Sequence, residues 1–410
     1  MVMAPGQAVW SARDYKAFSD EAYRKNVVAY QAVNRIADAV ASVRWTLWKG
    51  ETEIIEHDVL KLLARPNPGQ SGAQYIQAKI GYLLLSGNGY EERVKVGGSV
   101  RELYQLRPDR MKIIPGTSGF PQGYVYEIGG RKHQWDVDPA TLDSDVRHIR
   151  MFNPLDDWYG LSPVEASSYS IDQHNEAMKW MQALLQNGAR PSGALVVKGG
   201  ETLSDESFNR LKAQVDDQHS GARNAGRPMM LEGGLEWQEM GLSPTDMGMN
   251  ETKNAAARDI ALGFGVPPQL LGIPGDNTYS NYQEARLAFW EDTVIPILDW
   301  IAQDWSEWLT GGELQVKPDV DQVPAIVEKR QVLWDMADKA TDLTINERRE
   351  LKGFKPIDGG DVLLVNSSQI SLSMASDPPE PPPVVPPAPA PPNDLTAADV
   401  KAWVYGSQAH

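Results

Sequence analysis

Six histidines, His57, His133, His148, His174, His219 and His410, are the side chains of this 410-residue sequence best suited to proton transfer or metal ligation. No two of them are spaced as a metal site requires. Asp136 and Asp138 could hold a cation, but they run into Pro139 and read as a solvated loop. Asp156-Asp157 reads as a loop feature too. The chain has no Cys, which removes thiolate ligands, a Cys nucleophile and any disulfide framework, and suits a reducing compartment. It has no Gly-Lys-Ser/Thr phosphate loop, no Gly-x-Ser-x-Gly elbow and no His-Glu-x-x-His. The glycines of Ser86-Gly87-Asn88-Gly89-Tyr90 join a helix to a strand, the reverse of the order in a dinucleotide site, and read as a turn. These residues predict no catalytic centre, no metal and no cofactor.

Charge narrows the choice further. There are 39 Lys plus Arg against 55 Asp plus Glu, a net charge of −16. A protein that grips nucleic acid through phosphate neutralisation carries the opposite balance. The hydrophobic fraction of 41% and charged fraction of 23% are ordinary for a globular chain. No stretch approaches the apolar length of a membrane span. The first ten residues lack the basic and apolar regions of a signal peptide.

The elements that would position a site alternate in kind along the chain. Val28, Ala32, Ile36, Ala39 and Val43 predict a helix over 19–43, with Ser19 as its cap. Residues 45–55 read as a hairpin broken at Gly50, and 73–85 as a helix. The stretch 90–152 is β-rich, with two-residue turns at Gly97-Gly98 and Gly129-Gly130. Ser162-Pro163-Val164-Glu165 is a helix start; that helix runs to about 187 with Val164, Ile171, Met178, Met181 and Leu185 as its stripe. A strand–helix–strand insert follows over 194–198, 205–219 and 228–237. Ser243-Pro244-Thr245-Asp246 then opens a second helix, to about 264.

After a Pro- and Gly-rich loop over 265–280 comes a long helix, 281–310. Its seam is Leu287, Trp290, Val294, Ile297, Ile301, Trp305 and Trp308, and Pro296 predicts a kink. A short strand at 314–317 and helices at 324–340 and 345–352 complete the body. Between 378 and 392, ten of fifteen residues are Pro, which favours solvated polyproline II over a packed core.

Two segments suggest how the chain meets a partner. No Lys or Arg lies between Arg258 and Arg286, and Asp276 is the one charge within 265–280. Such a loop touches without gripping. Arg223, Asn224 and Arg227 sit instead on a basic tip within the insert, either an ordinary surface loop or a contact.

The run Asn153-Pro154-Leu155-Asp156-Asp157-Trp158-Tyr159-Gly160-Leu161-Ser162-Pro163 before a long helix resembles the portal proteins of tailed double-stranded DNA phages. So do Asn187-Gly188-Ala189-Arg190-Pro191-Ser192-Gly193, Met230-Leu231-Glu232-Gly233-Gly234, Ile260-Ala261-Leu262-Gly263-Phe264-Gly265-Val266-Pro267-Pro268 and Leu271-Gly272, with Asn277-Thr278-Tyr279-Ser280-Asn281. Each motif is mainly a turn or a cap; in this order and spacing they are specific. Gene transfer agents carry similar portals.

The resemblance implies an α+β portal fold. It comprises an N-terminal helical region (1–44), a β-rich wing (45–160), stem helices (161–189 and 242–264) and a small α/β clip (190–241). A tunnel loop (265–280), a long kinked helix and strand (281–320), a helical crown (321–377) and a disordered Pro-rich tail (378–410) follow. It further implies a homo-oligomeric ring, usually of twelve subunits, at a capsid vertex of a virion assembled in the bacterial cytoplasm. Double-stranded DNA passes through the channel; terminase, head–tail adaptors and the major capsid protein are the partners. Gly272, Asn277, Thr278 and Tyr279 would border the channel, Arg223, Asn224 and Arg227 would lie on the clip, and Pro296 would kink the helix over the loop. No enzyme activity and no membrane are implied. The family pattern leaves the Pro-rich tail unexplained. The other readings are a scaffold tethering partners through that tail and a DNA-processing enzyme, which would need a metal-binding carboxylate cluster.

Overall fold

The computed structural model describes residues 14–116, 119–186, 193–197, 204–219, 235–239, 248–275, 278–340 and 342–361. The chain divides into two compact units, 1–329 and 330–410.

The first unit opens with α1 (Tyr15–Ala17) and a π-helical turn, Phe18–Arg24, before α2 (Val27–Ala41). The helix expected from Ser19 therefore begins later, because Asn26 supplies the cap: its Oδ1 accepts from the amides of Val28 at 3.0 Å and Ala29 at 3.1 Å. Then come β1 (Arg44–Lys49), β2 (Thr52–Ile54), α3 (Asp58–Ala64) and α4 (Gly72–Ser86). Gly50 makes the β1–β2 turn at φ +60°. Six antiparallel strands follow: β3 (Asn88–Val96), β4 (Ser99–Leu106), β5 (Met111–Pro115), β6 (Pro121–Ile128), β7 (Arg131–Asp136) and β8 (Val146–Arg150). They form two small sheets, ordered β4-β3-β8 and β5-β6-β7.

Ser162 caps α5 (Pro163–Ala166), its Oγ accepting from the Glu165 amide at 3.0 Å. The chain breaks at Ser167 and continues as α6 (Ser168–Gln186). Val164 and Ile171 of the expected stripe are buried, but Met178 and Leu185 are 45% and 64% exposed, so the far end of α6 has no core of its own. The insert contains β9 (Gly193–Val197), α7 (Asp205–His219) and β10 (Leu235–Glu239), with β9 and β10 paired antiparallel. The residues 228–234 and the Ser243–Pro244 helix start lie outside the described residues. The helix α8 (Met249–Gly263) follows Gly248 and packs on α6.

The long helix is α9 (Tyr279–Ala288), a π-helical stretch Phe289–Val294, and α10 (Ile295–Thr310). The strand β11 (Gln315–Asp319) crosses back to pair with β1, setting Val316 opposite Leu47. A continuous core joins α2, α4, α8 and the long helix through residues such as Ile36, Ile80, Ile260, Val294 and Leu298. A second, smaller core under β3, β6 and β8 includes Tyr90, Tyr124 and Val146.

The helix α11 (Pro324–Lys339) runs across the boundary between the units. In the second unit α12 (Ile345–Leu351) starts with a capping box in which Thr344 and Glu347 satisfy each other's amides. Asn346 donates to the Ile357 carbonyl at 3.1 Å and folds the following loop onto the helix. Among the described residues no helix is long and apolar enough to cross a membrane.

Candidate functional site

The loop between α8 and α9 has a seated half and an exposed half. Gly265 ends α8 at φ +67°, where a side chain would be strained and its Cβ would lie 2.9 Å from Thr293 Oγ1. The Thr293 hydroxyl donates to the Gly265 carbonyl at 2.6 Å, and the Val266 amide donates to the Ala261 carbonyl at 2.9 Å. Val266, Leu270 and Ile273 are buried, so this half belongs to the core. Pro268–Leu271 form one 3₁₀ turn, closed by Gly272 at φ +69°. Nothing crowds Gly272, so its role is the turn itself.

Arg258 of α8 donates to the Pro274 carbonyl at 2.6 Å. The cation at the near edge of the Lys- and Arg-free interval thus grips the loop's own backbone. Thr278 caps α9, its Oγ1 accepting from the Asn281 amide at 3.3 Å. Tyr279 is 79% exposed, and its hydroxyl accepts from Gln283 Nε2 at 3.1 Å. Of the four residues the sequence marked here, Gly272 makes a turn, Thr278 a cap and Tyr279 an exposed surface; Asn277 lies outside the described residues. Arg223, Asn224 and Arg227 also lie outside them.

Pro296 is the second residue of α10 and follows the π-helical stretch. In a regular α-helix its ring would collide with the Asp292 carbonyl, which it also cannot satisfy. The wider π turn relieves that conflict.

A buried polar centre links the long helix to the β-rich region. Lys79 of α4 and Glu91 of β3 are ion-paired with no exposure at all. Glu91 Oε1 also accepts from the Tyr75 hydroxyl at 2.6 Å and from Gln105 Nε2 at 3.0 Å, and Glu91 Oε2 accepts from the Trp305 indole at 3.2 Å. The Lys79 ammonium lies 4.5 Å from the Trp305 ring centroid. Burial, and then the Glu91 charge, push the Tyr75 phenol well above its ordinary range. Arg147 donates to Asp304 at 2.7 Å, and Arg93 to the Trp308 carbonyl at 2.6 Å. Burial still raises the Asp304 carboxyl, against the opposing pull of Lys79 and Arg147. Sequence reasoning missed this centre. Its visible signal was Lys79, a charge on the apolar face of a helix between Ile76 and Ile80.

The motifs around 86–90 and 153–163 prove to be one joint. Asn88 Oδ1 accepts from His148 Nε2 at 3.0 Å and from the Gly160 amide at 2.8 Å. The Met151 amide donates to the Gly87 carbonyl at 2.8 Å. Asp156 Oδ1 takes the amides of Trp158 at 2.7 Å and Tyr159 at 3.0 Å, so it shapes the loop. Among the described residues no group of three His, Asp or Glu could hold a metal ion.

Residues 27–353 match the family described as phage portal protein. An uncharacterised protein of Rickettsia bellii (strain RML369-C) is 43% identical over 356 residues, 84% of this chain and 90% of that protein. The portal protein of Enterobacteria phage HK97 is 24% identical over 319 residues, 75% of this chain and 72% of that one. A chain from the neck of a native GTA particle, computed with C12 symmetry, is 46% identical; it superposes with a TM-score of 0.66 over 86% of this chain and 96% of its own length. The match over 27–353 and these similarities agree with the α+β architecture: the chain belongs to the phage portal protein family.

Proposed function

We propose that this protein forms a twelve-subunit ring at one vertex of a phage or gene-transfer-agent head, through which double-stranded DNA enters and leaves. The observation that carries this reading is the 46% identity to a chain of a particle neck with C12 symmetry. The ring is a conduit and a docking platform, and it catalyses nothing itself. Residues 45–160 are its wing, 161–189 and 242–264 its stem, 190–241 its clip and 321–377 its crown. Terminase docks on the clip during packaging and a head–tail adaptor replaces it; the major capsid protein surrounds the wing. The exposed Met178 and Leu185 of α6 and Leu262 of α8 suit burial against neighbouring stems.

The loop 265–280 borders the channel, beneath the helix kinked at Pro296. Its first half is braced by buried Val266, Leu270 and Ile273, while Tyr279 is exposed. Twelve copies at −16 give −192 per ring, and a channel lined by acidic and neutral groups lets DNA slide. Light scattering on the purified protein tests the assembly. A species of about half a megadalton, and end-on particle images with twelvefold symmetry, are the expected result. A 45.3 kDa monomer under the same conditions refutes the ring.

A further inference from the structure

A cavity of about 320 Å³ lies between the β5-β6-β7 sheet and β8, apart from the loop 265–280. Its lining mixes aromatic and aliphatic side chains, Phe120, Tyr124, Leu142 and Trp158 among them, with the charged Asp143, Arg147 and Arg150. Phe120 is 52% exposed and Leu142 42%, so its edge is both open and apolar.

The two guanidinium groups differ. Arg147 is held by Asp304, at 2.7 Å from Nε and 2.6 Å from Nη2. Arg150 donates to the neutral Asp157 carbonyl, and among the described residues no carboxylate lies within ion-pair distance of it. Both charges reach His148, a third lining residue, whose imidazole is pushed down to about 3, first by burial and then by Arg150 and Arg147. Asp143 lines the cavity as well, but it is paired with Arg93 and Lys95, so Arg150 is the lining charge without a counter-charge among the described residues, and the neutral His148 does not alter this near neutral pH.

Leu142 adds an independent mark. It is the one non-glycine residue among those described with a positive φ, +57°. That conformation is strained for a Leu, and Gly or Asn would adopt it more easily. A tight loop holds it there: Ala140 and Thr141 donate to Asp138 Oδ1 at 2.7 and 3.2 Å, and Leu142 donates to the Asp138 carbonyl at 2.8 Å. The fold thus maintains backbone strain while presenting an apolar side chain at the cavity's edge, a combination that marks functional surfaces.

We infer that this cavity is a docking site for an acidic peptide segment of a partner protein, one bearing a carboxylate beside a bulky apolar side chain. The carboxylate pairs with Arg150, and the apolar neighbour packs against Phe120, Leu142 and Trp158. A nucleic-acid backbone suits the site poorly, because one uncompensated guanidinium offers a single phosphate contact. This site is independent of the ring and of the channel assignment.

The test uses the full chain and a fluorescein-labelled decapeptide with one central Asp-Leu pair in an Ala/Ser background, followed by anisotropy. Saturable binding is expected, weakened about tenfold or more when the peptide Asp is replaced by Asn, since a charge-assisted contact is lost. Arg150→Gln should weaken binding to a similar degree. Leu142→Asn should weaken it about threefold or more while the melting temperature stays level or rises, because the strain is relieved. That second variant keeps the test decisive if Arg150→Gln fails to fold. Absence of saturable binding, or equal binding of the Asp and Asn peptides, overturns the inference. So does displacement of the peptide by inorganic phosphate or a short DNA duplex at matched concentration, which would make this a general anion or nucleic-acid site.

Discussion

Lys79 and Glu91 form an ion pair from which solvent is wholly excluded, and Trp305 touches both, its indole donating to the carboxylate and its ring facing the ammonium. The successive elements α4 and β3 meet the distant α10 at these side chains. Removing one partner leaves the other buried and uncompensated, so Lys79→Met and Glu91→Gln should each cost about 3–5 kcal/mol. The double replacement should cost much less than the sum of the two, because no lone charge remains. Guanidinium denaturation of the three variants measures this coupling; additive single effects would mean the two groups do not depend on each other.

Gly160 and Gly87 meet backbone to backbone. A Cβ on Gly160 would stand 2.1 Å from the Gly87 carbonyl oxygen, and neither chain can yield without breaking the Asn88 bonds. Gly160→Ala should lower stability by at least about 2 kcal/mol. Gly272→Ala has open space around it and meets only the left-handed backbone penalty, about 1–2 kcal/mol. Comparing their thermal melts separates steric closeness from conformational strain.

Acid should loosen the β3–β8 region first. The unfolded chain takes up a proton at His148 near pH 6.5, whereas the folded chain resists until about pH 3. Stability from this residue is complete above pH 6.5 and falls as pH drops toward 3. His174 shifts in the same direction, through burial and then Lys253. His148→Gln keeps a donor for Asn88 but does not titrate. Urea midpoints measured from pH 7 to pH 4 should therefore fall less steeply for that variant than for the parent.

Tyr279→Lys should raise the ring's affinity for double-stranded DNA, most strongly at low salt, and slow packaging. Each new phosphate contact adds a counterion-release term, and the twelve copies of the proposed ring would repeat it. Tyr279 suits this better than Thr278, whose replacement would also uncap α9. Unchanged DNA binding by an intact Tyr279→Lys ring would remove the loop from the channel wall.

Local chemistry made much of the fold readable. Ser162 with Glu165, Thr344 with Glu347, and the left-handed glycines at 97–98 and 129–130 each act within a few residues, and each stands where its residue type demands. The helix start at Asn26 was harder, because Asn26 is chosen by tertiary partners: its Nδ2 donates to His174 Nδ1 at 3.2 Å and to Asn175 Oδ1 at 3.0 Å, nearly 150 residues away. The pairing of β11 with β1 and the Lys79–Glu91 centre also depend on long-range meetings that periodicity does not encode. At the candidate site, the shortage of basic residues was legible. The burial of Val266, Leu270 and Ile273 was not, since an apolar residue in a loop gives no sign of which surface will cover it.

The π-helical stretch Phe289–Val294 has a bearing on how the long helix tolerates change in length. A π turn is an α turn carrying one surplus residue, taken up in the wider turn so that the helix on either side keeps its register. Deleting one residue there leaves the buried faces of α9 and α10 in phase with each other. Deleting one in the first turn of α10 instead rotates Ile301, Trp305 and Trp308 together by about 100° relative to α9, out of the core. Length variation in this helix is thus confined to a single turn, the same turn whose Thr293 holds Gly265 at the root of the loop.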